Sequence, residues 1–444
     1  MIAVAHEICP DFTPHGDRYS GDRSNFKHNA ATWRNAIMAT PVFSVIIPVY
    51  GKWDLTRACL ASLCEHSRDQ TYEVIVVDNA STDATVTELV PLGRNLFGEA
   101  FCAIRFTENR NFGPACNAGA AKALAPLLFF LNNDTLMTPD WAPPLLAALK
   151  ENASLGAVGP LLLYENNTVQ HLGACLYPGG LSHLYQNFPA DHPVVFRPRR
   201  LQFISAAALM LPRDLFFQAG CFYEEYRNGY EDVELSVRIR QAGKELRCVP
   251  SSVVCHLESQ SPGRNDDEKH NGELLYERCG KDIYIDIHHH GMRDGFKVFV
   301  NDLFSLSLRL TDEAEKSLTR QAEGKELPEW LEIMRRHPFW ITGRDTLAAE
   351  FESKGKFKEA LQLRAELADF LPLRERYIQL LRTAARAGDA NLAEAARTRL
   401  ECMTYRRDRK IAAAFVRKAK EWAKDGGDPV LSQLYDEKFN QLTN

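Results

Sequence analysis

The strongest constraint on this chain is a threefold alternation of short apolar runs with helix-like segments between residues 43 and 134. The run "FSVIIPV" (43–49) precedes "DLTRACLASLCEHS", and "YEVIVVD" (72–78) precedes "STDATVTELV". A third unit, "FCAIRFTENRNFG" (101–113), leads through "PACNAGAAKALA" into "PLLFFLNND" (126–134). Runs this short and this rich in β-branched and aromatic residues read as buried strands, and the segments between them carry apolar residues at helical spacing. Such alternation predicts an α/β domain built on a mainly parallel sheet. Ligands of these sheets bind beyond the carboxyl ends of the strands. The strand ends therefore matter most, and they read Pro48-Val49-Tyr50, Asp78-Asn79 and Asn132-Asn133-Asp134. Turn chemistry explains one acidic strand end, because Asn and Asp bond their own backbone. Two acidic ends in one sheet point instead to a shared ligand.

The rest of the chain bounds the answer. Its 444 residues allow two to four domains, and a formal net charge of −5 argues against nucleic acid as a partner. Eleven cysteines are scattered without a CxxC pair, so they read as thiols in a reducing compartment. Cys248 and Cys255 have no nucleophile context and are expected to be buried. No stretch reaches the ~18 apolar residues that a membrane span requires. The first residues lack the basic and apolar regions of a secretory leader, and the expected location is cytoplasmic. Residues 1–40 are polar, with little periodicity, and read as an arm. An α/β domain is expected over 41–290 and a linker helix over 291–325, within which "GFKVFVNDLFSLSLRL" (295–310) is amphipathic. Residues 326–444 read as all-helical. "GKFKEALQLRAELADFLP" and "GDANLAEAARTRLECM" place Ala360 and Ala393 33 positions apart (393 − 360), which resembles the ~34-residue tetratricopeptide period. The triplet His288–His290 is expected to be a surface cluster, since three adjacent histidines cannot all face one ion.

Five segments in order, "FSVIIPVYGKWDLTRACLASL", "YEVIVVDNASTDAT", "ENRNFGPACNAGAAKA", "LLFFLNNDTLMTPDW" and "GYEDVELSVRIRQAGKELRCVPSSVVCH", resemble the successive motifs of family-2 glycosyltransferases. "ISAAALMLPRDLFFQAGCFYEEYRNGYEDVEL" is similar to that family's acceptor-side region. The resemblance covers about residues 42–282 and stops short of the carboxyl-terminal helices, which look like an accessory domain. It implies a GT-A fold and an inverting enzyme that uses a nucleotide-diphosphate sugar.

It also implies roles. Asp78 would accept a hydrogen bond from a pyrimidine, with Pro48 and Tyr50 forming the base and ribose wall. Asn109, Arg110, Gly113 and Asn117 would lie near the nucleotide, where a helix amino terminus favours anions. Asp134 would hold a divalent cation, Mn²⁺ or Mg²⁺, bridging the two phosphates, because hard oxygen ligands suit those ions. Asn132 stands where the family usually has an aspartate, so with Asn133 it would contact the nucleotide without adding charge. His256 matches a further metal ligand. Asp232 would be the general base on the acceptor hydroxyl, and Glu231 would orient the acceptor or brace the loop.

The leading expectation is thus a metal-dependent hexosyl transfer from a UDP- or dTDP-sugar to a glycan, lipid-linked or protein acceptor. A lipid-linked acceptor would place the protein peripherally at the inner face of a membrane. The helices would offer a surface for a protein partner or a homodimer. A nucleotidyltransferase is the enzymatic alternative, disfavoured by the Glu231-Asp232 pair followed by His256. A degenerate sugar-nucleotide-binding scaffold, suggested by Asn132, is the non-catalytic one.

Overall fold

The computed structural model describes residues 40–178, 180–257, 267–405 and 409–443. The expected amino-terminal arm lies, but for residue 40, outside the described residues. The chain divides into two compact units, one ending at Ile283 but lacking Cys175–Ser182, the other comprising Cys175–Ser182 and Tyr284–Asn444.

The first unit is the α/β domain read from the alternation. Its strands are β1 (Phe43–Val49), β2 (Tyr72–Asp78), β3 (Phe101–Arg105), β4 (Leu127–Leu131), β5 (Thr135–Met137), β6 (Leu155–Leu163), β7 (Val169–His171), β10 (Ala208–Pro212) and β11 (Glu245–His256). A short hairpin of β8 (Ala174–Tyr177) and β9 (Gly180–His183) stands apart from that sheet. Strand order is β3-β2-β1-β4-β10-β6-β11-β5, with β7 beside β6. The β1, β2, β3 and β4 pairings are parallel, whereas β10 runs antiparallel to both β4 and β6. Registers of Val49 with Asp78 and of Ile46 with Phe130 bring the carboxyl ends of β1, β2 and β4 to one edge. Pairing of β5 with β11 sets His256 opposite Thr135, next to Asp134.

Helices cover both faces, which is why β1 and β2 are apolar at nearly every position rather than at alternate ones. On one face Val45, Ile47, Val74, Val76 and Phe129 pack with Leu60 and Leu63 of α1 (Trp53–Glu65), Leu89 and Phe97 of α2 (Thr85–Phe97) and Leu145 of α4 (Ala142–Glu151). On the other lies α3 (Phe112–Lys122), an Ala- and Gly-rich helix that packs on β1 and β2. It approaches closely because Gly119 has no side chain: a Cβ there would sit 2.5 Å from Ile46 Cγ2. Two further helices, α5 (Arg213–Gln218) and α6 (Glu231–Gln241), flank β10 and β11, and α7 (Glu268–Cys279) packs against α6.

The second unit corrects the expected linker helix over 291–325. After α8 (Ile287–Arg293) come two antiparallel strands, β12 (Lys297–Val300) and β13 (Leu306–Arg309), and only Asp312–Ala322 is helical (α9). The buried Asn301 decides the local geometry. Its Oδ1 accepts from Leu303 N at 2.9 Å and Ser305 N at 3.1 Å, which closes a turn that the apolar spacing alone did not reveal. After α10 (Leu327–Arg336) come α11 (Ile341–Ser353), α12 (Phe357–Phe370), α13 (Arg374–Ala387) and α14 (Ala390–Tyr405), each packed on the next, and then α15 (Arg409–Asp425) packed on α16 (Pro429–Thr443). A repeated stop signal separates the members of three pairs. Gly355, Gly388 and Gly427 all have positive φ, and the following N–H reaches back to Phe351, Ala384 and Ala423 carbonyls at 2.9–3.0 Å. That is a glycine-closed helix end, used once within each pair.

Gly119→Ala tests the close approach of α3. Overpacking of about 1–3 kcal/mol outweighs the ~1 kcal/mol gained from alanine's helix preference, so the urea midpoint should fall.

Candidate active site

The polar strand ends do come together at one edge of the sheet, and one short segment organises them. Four consecutive backbone N–H groups, Ile204 to Ala207, each donate to a side chain. Ile204 N bonds Ser236 Oγ (3.2 Å), Ser205 N bonds His171 Nε2 (3.1 Å), Ala206 N bonds Asp232 Oδ2 (3.0 Å) and Ala207 N bonds Ser205 Oγ (3.2 Å). The Ala207 carbonyl accepts from Asn132 N at 2.9 Å. Asp232 and the end of β4 are thus hydrogen-bonded to neighbouring residues of one segment, whose small side chains leave the backbone accessible.

Asp232 accepts a second bond, from Val233 N at 2.9 Å on Oδ1. It stands in the first turn of α6, where an acid is favoured by the helix dipole. The lead-in is strained: Asn228 and Tyr230 both have positive φ, and for a bulky residue such as Tyr230 that conformation costs on the order of 1–3 kcal/mol. Glu231 is buried and its Oε2 accepts from Gly229 N at 2.6 Å, bracing this turn. Of the two acids, Asp232 is therefore the one less enclosed by protein.

At the end of β4, Asp134 Oδ1 lies 3.1 Å from His256 Nε2, and Asn132 Nδ2 lies 3.4 Å from the same nitrogen. Gln170 fixes the ring. Its Nε2 donates to the His256 carbonyl at 3.1 Å, so its Oε1 faces His256 Nδ1, 2.7 Å away, and that nitrogen carries the proton. In its neutral form the ring turns a lone pair on Nε2 toward the Asp134 carboxylate. Two acceptors converging in this way suit a cation, and a carboxylate, an imidazole nitrogen and diphosphate oxygens form a donor set that a divalent ion accepts. Next to Gln170, the buried His171 takes Ser205 N–H on Nε2, so its proton sits on Nδ1 and is donated to His183 Nδ1 at 2.7 Å. Burial, with His183 and His256 adding, holds His171 well below the usual histidine range. β7 thus orients both His256 and the segment that binds Asp232.

The other expected site residues fall into two groups. Pro48 is partly exposed and Tyr50 is 58 % exposed at the end of β1, open to a ligand. Arg110 is exposed, with its guanidinium 5.4 Å from the Phe106 ring centroid and its N–H on Asn79 Oδ1 at 2.8 Å. The remainder shape the rim through their own bonds. Asp78 is buried, with Oδ1 accepting from Ser81 N at 2.8 Å and Oδ2 paired with Arg105. Asn109 Oδ1 accepts from Asn79 and from Asn111 N. Gly113 packs under Phe222 and the Tyr223 carbonyl, each 3.4 Å from where a Cβ would be. The Asn117 amide is committed to Phe222 N, Phe222 O and Glu224. Asn133 points away, its Nδ2 on Thr56 Oγ1 at 2.9 Å. Gln170, His171 and Arg105 were missed from sequence. Arg105 carries a signal in hindsight, as the charged end of a strand beside Asp78, whereas nothing in "TVQHLGA" marks the first two. The thiols of Cys59 and Cys248 are buried, which pushes both up to about 12 and leaves them inert.

Residues 44–206 match the family model described as glycosyl transferase family 2. The chain is 30% identical over 237 residues to the O-antigen biosynthesis protein RfbC of Myxococcus xanthus, covering 51% of this chain and 18% of that one. It is 28% identical over 255 residues to the N-acetylglucosaminyl-diphospho-decaprenol L-rhamnosyltransferase of Mycobacterium tuberculosis, covering 51% and 79%. Among solved structures, TarS 1-349 of S. aureus in complex with UDP-GlcNAc aligns over 82% of this chain and 91% of its own, at 17% identity and TM-score 0.43. The chain spans less than half the length of several curated relatives that it matches.

Replacing Gln170 with Met keeps the volume and removes the acceptor that orients His256. Manganese titration should show affinity weakened roughly 10–100-fold, with an unchanged fold by circular dichroism.

Proposed function

We propose, from the match of residues 44–206 to the family model described as glycosyl transferase family 2, that the chain transfers a sugar, with inversion, from a nucleotide-diphosphate donor to an acceptor hydroxyl. The observation that carries this reading is the attachment of Asp232 and the β4 end to the adjacent residues Ala206 and Ala207. A base and a diphosphate site so tied keep a fixed separation, which is the positioning that group transfer needs.

Donor binding is assigned to the rim. Tyr50 and Pro48 flank the base, Asp78 meets its edge from the Arg105-braced turn, and Arg110 with Asn109, Gly113 and Asn117 frames the ribose and phosphates. Asn132 contributes its amide and Asn133 secures the strand end to α1. This pattern favours UDP or dTDP. Asp134 and His256 would hold Mn²⁺ or Mg²⁺, which when bound supplies charge stabilisation to the departing diphosphate. Asp232 takes the proton from the acceptor hydroxyl, whose oxygen bonds to the anomeric carbon as the bond to the diphosphate breaks on the opposite face. Glu231 holds the turn that aims Asp232.

Three acceptor classes stay within this reading: glycan, lipid-linked and protein. The mycobacterial relative is named for transfer to a decaprenol-diphosphate-linked sugar, which supports the lipid-linked class and with it a peripheral place at a membrane. No helix among the described residues is long and apolar enough to cross a membrane. The helical unit is assigned to a protein partner or to self-association.

Nucleotide release from UDP- and dTDP-sugars with Mn²⁺, water standing in for the acceptor, tests the assignment. Asp232→Asn should lower turnover by about 10²–10⁴-fold while donor binding, measured separately, stays intact. Release from none of the donors by a folded sample would contradict the reading and favour the non-catalytic scaffold.

A further inference from the structure

The histidine triplet is not the surface cluster expected of it. His288 is fully buried, His290 is 8 % exposed and only His289 is open, at 54 %. His290 pairs with Asp286 on its own helix. The other two turn outward from α8 toward one oxygen: His288 Nε2 lies 2.7 Å and His289 Nε2 3.1 Å from Asp428 Oδ2. The three ligand atoms all lie within 4.8 Å of one another, where the edge of a tetrahedral site with ~2.0 Å bonds is about 3.3 Å.

We propose that His288, His289 and Asp428 form a nitrogen-rich metal site of the Zn²⁺ class within the helical unit. Three features favour a cation over a simple hydrogen-bonded cluster. The two imidazole rings have centroids 4.0 Å apart and are tilted by 37° to each other, and both turn Nε2 to the same Asp428 oxygen rather than to separate partners. The Nδ1 of His288 is buried without a hydrogen-bond partner. With that atom unmet, the ring's polar chemistry is confined to Nε2, the nitrogen aimed at Asp428. Asp428, finally, divides its labour. Its Oδ1 accepts from Leu431 N at 2.9 Å and caps α16, as the corresponding Asp389 Oδ1 caps α14 through Leu392 N at 2.9 Å. Oδ2 is thereby held in place for the histidines. Two imidazoles and one carboxylate select a borderline ion of the zinc type over Mg²⁺ or Ca²⁺. Such a site has three protein ligands and a position left for water on the His289 side.

The site would be a clasp. It joins residues 140 apart in sequence, and the elements beside it share one core, in which Ile285, Phe304 and Leu306 pack with Val416, Leu431 and Tyr435. A link between the two ends of a long loop removes more unfolded-state freedom than a local one. The inference is independent of the transfer activity, since all three ligands lie in the second unit.

The test uses the full chain carrying Asp134→Ala, which removes the metal position assigned to the first unit. The protein is stripped with chelator, kept reduced and titrated with Co²⁺. A visible d–d band that saturates at one Co²⁺ per chain and is displaced by Zn²⁺ is expected, together with a rise in melting temperature on Zn²⁺ addition. His289→Gln, at an exposed position, should fold normally and lose both effects. Asp428→Asn, which retains the helix cap, should weaken both. No band, a band carrying thiolate charge transfer, or a band that His289→Gln leaves unchanged would overturn the proposal.

Discussion

The site rests on a run of backbone amides that find side-chain acceptors. Buried N–H groups must be paired, and those of Ile204 to Ala207 are paired by Ser236, His171, Asp232 and Ser205 rather than by a neighbouring strand. Each of these bonds fixes a functional group as well as the backbone. Asp232 cannot swing away without leaving Ala206 N unmet, and His171 cannot rotate without releasing Ser205. Because β10 then runs antiparallel along β4 from Ala208 opposite Leu131, this run delivers the acid of α6 to the edge where the parallel strands end.

The same economy recurs at β7. One residue, Gln170, sets the tautomer of His256 with a pair of bonds, and its neighbour His171 holds the amide run. A three-residue strand at the side of the sheet thus holds both the Asp134–His256 pair and the segment that binds Asp232.

Much of this was legible in the sequence and some was not, for identifiable reasons. Parallel strands announce themselves because burial on both faces makes them apolar throughout, so β1, β2 and β4 and their polar ends could be read directly. The meeting of Asp134 with His256 depends on β5 pairing with β11, a contact between residues 122 apart, and only the family resemblance anticipated it. Asp78 and Asn117 show the limit of reading roles from position: one ends β2 and the other lies on α3, and their polar atoms are largely spent on Arg105, Ser81 and Phe222. Gln170 left no trace, since a glutamine in a polar-looking "TVQHLGA" carries no periodic signal. In the second unit, two of the three repeated helix pairs showed in the spacing of Ala360 and Ala393. The β12–β13 hairpin did not, because a four-residue strand is too short to separate from an amphipathic helix and the deciding Asn301 acts through its side chain.

We propose that Asp134 stands where a metal and a nucleotide diphosphate meet. It is tested most directly by thermal unfolding with UDP, dTDP, GDP and CDP, each with and without Mn²⁺, for the native chain and Asp134→Ala. A ligand at about 100 times its dissociation constant stabilises a fold by ~2.7 kcal/mol. The account predicts a manganese-dependent shift with a pyrimidine nucleotide that Asp134→Ala abolishes. A shift that survives in Asp134→Ala, or no shift with any nucleotide in a well-folded sample, would contradict it.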